Sequence, residues 1–137
     1  MIALALLLQA ASTQSIGPEP IGRQALPATG CAAYLWDNAA KRSLVAMATA
    51  EPARLRLRLD GRTLDVARAA ERGPAGYGFG QVTEYRGGDV LAVLDMAVET
   101  RADLTGGAVV PAATLRVERP GRDAVVVPVA GLIGCAA

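Results

Sequence analysis

A chain of 137 residues, 52% of them hydrophobic and 20% charged, is long enough to bury one core, and a mean hydropathy of +0.29 argues against a disordered chain. Its 14 Lys and Arg against 13 Asp and Glu give a net charge of +1, and apolar residues separate most of the basic ones, which leaves no electrostatic footprint for nucleic acid or an anionic membrane surface. With no histidine, the usual base for a Ser or Cys nucleophile is missing; two Cys without His are also too few ligands for a metal site, so neither metal nor cofactor is expected.

The uncharged apolar run from Met1 to Leu8 leads into Gln9-Ala10-Ala11-Ser12, which offers small residues where a signal peptidase reads, so residues 1–12 are read as a signal peptide. The run is short for that purpose and lacks a basic residue ahead of it. A membrane-spanning helix needs about 20 apolar residues, which no segment supplies. Residues 13–30 hold Pro18, Pro20, Pro27 and three glycines and read as an extended linker without a core face. Within them, Leu26-Pro27-Ala28-Thr29-Gly30 spells a sortase pattern at the wrong end of the chain. Ala28-Thr29-Gly30-Cys31 resembles a lipoprotein box but stands apart from the apolar run, and both matches are read as accidental.

A single β-domain is expected over residues 31–137, with Cys31 and Cys135 at its two ends. A disulfide between them would close a loop of about 100 residues, worth up to about 4.7 kcal/mol in the chain-entropy model, and would agree with export to an oxidising compartment. Ala32, Tyr34 and Trp36 alternate with Ala33, Leu35 and Asp37 in a first strand, whose aromatic face is expected in the core. Residues 43–48 read as a second strand. In Arg54-Leu55-Arg56-Leu57-Arg58-Leu59-Asp60-Gly61-Arg62-Thr63-Leu64-Asp65-Val66, strict alternation meets Asp-Gly, the strongest short signal for a two-residue hairpin turn. A turn at Asp60-Gly61 pairs Arg58 with Thr63, Leu57 with Leu64, Arg56 with Asp65 and Leu55 with Val66, so apolar meets apolar and Arg meets Asp.

After Val66 the helix formers up to Gly73 predict a helical turn, and Gly73 to Gly80 is a Gly-rich loop carrying Tyr77 and Phe79. A second hairpin is expected around Gly87-Gly88, pairing Arg86 with Asp89, Tyr85 with Val90 and Val82 with Val93. Its second arm buries Val90, Ala92, Leu94, Met96 and Val98. Strands at 108–110, 114–119 and 124–129 complete the set, with Pro111 and Pro128 marking strand ends, bulges or edges. About eight strands joined by short turns indicate an all-β antiparallel barrel or sandwich, its ends tied by the disulfide. Small periplasmic barrels, including the inhibitors of c-type lysozyme, are similar in size and in having a tying disulfide. The likeness is one of architecture, and no residue is carried over from it.

Catalytic chemistry has few candidates. Ser43 and Lys41 could form a Ser–Lys pair but share an exposed turn, and Asp95, with Glu84 or Glu99, could supply a carboxylate pair for a glycan hydrolase although it shares the outward parity of Asp89 and Glu99. Arg54, Arg56 and Arg58 read as a solvated face. The expectation is therefore a periplasmic or secreted, non-enzymatic domain that binds a protein or cell-envelope component, with Tyr77, Phe79, Tyr85 and Arg86 as binding residues. A small-molecule carrier with an open barrel interior is the second reading, and the hydrolase the third.

Overall fold

A computed structural model of the chain describes residues 17–136. The expected signal peptide, residues 1–12, and the first four residues of the expected linker lie outside them. Eight strands form a closed antiparallel barrel in chain order: β1 (Cys31–Asp37), β2 (Leu44–Thr49), β3 (Arg54–Leu59), β4 (Arg62–Gly76), β5 (Phe79–Gly87), β6 (Val90–Met96), β7 (Gly107–Glu118) and β8 (Val125–Cys135). Closure runs through β1 and β8, which pair over seven residues from Cys31 opposite Cys135 to Asp37 opposite Val129. A disulfide joins Cys31 to Cys135 at the end of that seam.

The Asp-Gly hairpin forms with the expected register, since Arg58, Leu57, Arg56 and Leu55 face Thr63, Leu64, Asp65 and Val66. Asp60 and Gly61 both take positive φ, 50° and 76°, as a type I′ turn requires. Leu55, Leu57 and Leu59 point into the barrel, while Arg56 binds Asp65 outside through contacts of 2.8 and 3.0 Å. Eight strands leave an interior just wide enough for side chains to fill. The buried cluster accordingly combines these leucines with Leu94, Leu115 and Tyr85, and sets small residues such as Ala33, Ala46, Ala92 and Ala108 among them. Charged side chains, including Arg56, Asp65, Arg116 and Glu118, stand outside, the opposite of the polarity of a lipid-embedded barrel. No helix among the described residues is long and apolar enough to cross a membrane.

Three local expectations are corrected. The aromatic face of β1 points outward: Ala33 and Leu35 join the core, whereas Tyr34 is buried from outside by residues 17–30. Alternation defines two faces but not which is inner, and the filled interior takes the smaller set. The helical turn after Val66 is absent, because β4 continues as strand to Gly76, paired with β5 through bulges at Arg68/Ala70 and Pro74/Gly76. The second hairpin turns at Gly88-Asp89 rather than Gly87-Gly88, so Tyr85 faces Ala92 and Val82 faces Asp95. Gly87 stays in the ladder, where a Cβ would come within 2.7 Å of Val66 Cγ1, and Gly88 supplies the positive φ of 57°. This shift of two residues preserves the faces, so Val90, Ala92, Leu94 and Met96 are buried as the alternation requires.

Candidate binding groove

Residues 17–30 form a strap that starts with Gly17 beside the Val125 and Val127 side chains, the latter packed against the core, and then crosses the outer wall. The Glu19 N–H donates to Arg58 O at 2.8 Å, the Ile21 N–H to Leu44 O at 2.9 Å, and the Gly61 N–H to the Glu19 carboxylate at 2.6 Å. Arg56 donates to the Gln24 side-chain carbonyl at 2.7 Å, and the Tyr34 hydroxyl to Ala25 O at 2.9 Å. Burial under the strap pushes the Tyr34 phenol pKa upward. Leu26 follows with 69% of its surface exposed, ahead of Gly30, whose carbonyl accepts from Ala136 N at 2.8 Å.

The strap leaves a groove against β1 and β2. One half, of about 580 Å³, lies between Pro20, Leu26 and the wall formed by Tyr34, Trp36 and Leu44. The other, of about 550 Å³, is a separate depression that shares Trp36 with the first and is lined by Ala130, Gly131 and Leu132 of β8 and by Asp37, Asn38 and Arg42 of the β1–β2 turn. Trp36 lines both halves. It stands in this place because β1 register shifts between Leu35 and Trp36, setting Trp36 opposite Leu44 on one side and Ala130 on the other. Leu132 is 49% exposed, so the β8 side of this half presents an apolar side chain to solvent, beside the polar turn residues Asp37, Asn38 and Arg42. Asp37 ends the strand by accepting the N–H groups of Ala39 and Ser43 at 3.3 and 3.0 Å, which folds the turn beside the groove.

A further depression of about 440 Å³, among the β3–β4, β5–β6 and β7–β8 turns at the same end of the barrel as the β1–β2 turn, gathers Arg62, Arg119 and Arg122 around Asp60. Asp60 binds Arg119 at 2.6 Å and Arg122 at 3.0 Å, and the Arg119 hydrogen bond holds its carboxyl below the usual range. One carboxylate, Asp60, is thus shared between two guanidiniums.

The residues expected to bind do not gather on one surface. Phe79 and Tyr85 are core side chains, 6% and 2% exposed, and burial pushes the Tyr85 phenol up to about 12. Tyr77 is half-buried at the tip of the β4–β5 hairpin, its hydroxyl 3.4 Å from Thr100 Oγ1, and Arg86 is exposed on the outer wall. Asp95 points to solvent from β6, and no hydrogen bond links Ser43 to Lys41 among the described residues. Nor do three or more His, Cys, Asp or Glu side chains gather there as metal ligands. The groove residues missed in the sequence were Trp36, Leu26, Leu132, Arg23 and Arg42. The available signal was an apolar Ile21 and Leu26 in the proline-bearing segment, next to a strand with aromatics on alternate positions. No family model matches the chain, and neither curated proteins nor solved structures give a match.

Proposed function

We propose that this is an exported, non-enzymatic β-barrel domain that binds a protein or cell-envelope component through the groove at Trp36. The observation that carries the reading is an exposed apolar floor running past the chain's single tryptophan, on a wall otherwise rich in charge. Exposed apolar surface with a polar rim is what interaction sites present. The Cys31–Cys135 disulfide is consistent with an oxidising environment outside the cytoplasm, which supports a periplasmic or secreted location. A core filled by leucines and Tyr85 favours recognition on the outer wall over carriage of a small molecule inside.

The test compares capture from an envelope extract by the wild-type domain, Leu132→Ser and Tyr77→Ala. Loss of one discrete partner in Leu132→Ser, with retention in Tyr77→Ala, supports the groove. Retention in Leu132→Ser and loss in Tyr77→Ala would move the site to the β4–β5 hairpin tip.

A further inference from the structure

We infer that the occupant of the Trp36 groove is a short extended peptide segment of a partner protein that carries apolar side chains and carboxylates. The inference rests on the binding reading above and adds the chemistry of the ligand. Arg23 lines the strap half of the groove and Arg42 the other half. Neither guanidinium makes an ion pair or side-chain hydrogen bond among the described residues, and the same holds for Lys41 beside Arg42. The one acid on the lining, Asp37, is committed to the N–H groups of Ala39 and Ser43. An apolar floor therefore lies between unpaired cations, and its complement is apolar and anionic.

Two alternatives to a peptide fit less well. A lipid tail is held by enclosure, burying most of its surface, whereas this groove runs open along the barrel wall past the side chains of Ser43 and Asn38. Those two make no side-chain hydrogen bond among the described residues, and a tail would leave them without partners while peptide N–H and C=O groups can use them. A second copy of the chain docking by this same face would bring together two surfaces of the same net positive charge, Arg23, Lys41 and Arg42 outnumbering Asp37 on each.

Trp36, as the only tryptophan, makes its own fluorescence the readout on the full chain. The probes are acetylated and amidated hexapeptides of leucine alternating with glutamate, with glutamine or with lysine, and phosphatidylglycerol vesicles. Saturable change in Trp36 emission is expected with the glutamate peptide at about twofold to thirtyfold tighter affinity than with the glutamine peptide, the range for two exposed ion pairs. That margin should narrow with added salt and vanish in an Arg23→Gln/Arg42→Gln variant, whose circular dichroism should match wild type. Equal affinity for the glutamate and glutamine peptides overturns the acidic assignment while leaving groove binding intact. A response to vesicles alone overturns it in favour of lipid, and concentration-dependent burial of Trp36 without any probe overturns it in favour of a dimer. Silence towards every probe overturns the peptide assignment, and the capture comparison then decides separately whether the groove binds at all.

Discussion

The seam between β1 and β8 depends on a backbone approach that only glycine allows, and replacing Gly131 by Ala tests it. A Cβ at Gly131 would collide with the Tyr34 carbonyl oxygen and lie 2.8 Å from Tyr34 C and 3.2 Å from Leu35 Cα. All three atoms are backbone of the paired strand, so relief requires parting the strands rather than turning a side chain. Overpacking of this kind costs about 1–3 kcal/mol, and a weakened ladder hydrogen bond adds about 1 kcal/mol. A total of about 3 kcal/mol, at about 4 °C per kcal/mol for a domain of this size, lowers the melting temperature by about 12 °C. Gly134→Ala, three positions along the same strand, is the control. Its Cβ meets Leu26 Cδ2 at 3.1 Å, on an exposed side chain that can turn away, and Tyr34 Cε2 at an ordinary contact distance of 3.8 Å, so the cost stays within about 0.5 kcal/mol. Both substitutions restrict the unfolded chain equally, so their difference isolates the collision. Thermal and urea unfolding followed by circular dichroism give that difference. Agreement of the two variants within about 0.5 kcal/mol would refute the close approach of β1 and β8 at this point.

Three further outcomes follow from the disulfide, the Arg56–Asp65 pair and buried Tyr85. A Cys31→Ser/Cys135→Ser variant should still fold on its seven-pair seam but lose about 2–4.7 kcal/mol in urea titrations, and unchanged stability would mean that the bond does not form. Asp65 is held below the usual carboxylate range by its hydrogen bond to Arg56, with Arg56 and Arg54 charge adding to it; the stability this lends is present above about pH 4 and lost as pH falls through the lowered value. A double-mutant cycle with Arg56→Gln and Asp65→Asn should give about 0.5 kcal/mol of coupling at pH 7 that shrinks as the pH is lowered through the acid range, and coupling that does not fall with acid would contradict the assignment. Tyr85, raised by burial to about 12, stabilises the fold fully below pH 10, and that contribution is lost as pH rises from about 10 towards 12. Tyr85→Phe should therefore flatten the alkaline limb of stability against pH by about 1–3 kcal/mol, and parallel limbs would show that Tyr85 ionises as freely in the fold as in the unfolded chain.

Local chemistry explains which parts of the molecule were legible in the sequence. The Arg-Leu hairpin was readable because turn residues, apolar alternation and the Arg56–Asp65 charge pair all specify one register. At Gly87-Gly88 two adjacent glycines satisfied the same turn rule, and only the packing of Gly87 against Val66 chose between them. The Cys31–Cys135 link was readable from position and count, since two cysteines bracket the strands. Alternation in Ala32 to Trp36 revealed two faces, but the barrel radius decides which fits inside, and radius is a property of all eight strands together. For the same reason the groove stayed hidden. It is made by the strap from residues 17–30, β1, β2 and β8, segments far apart in the chain that meet only after closure.

The central claim is that a partner occupies the groove past Trp36. Photo-crosslinking from single benzoylphenylalanine positions tests it most directly, with the probe at Leu132, 49% exposed on the groove floor, and at Val126, 54% exposed on the same strand but off the groove lining. One discrete adduct from position 132 and none from 126 is the predicted result. Equal adducts from both positions, or adducts from 126 alone, would contradict the account.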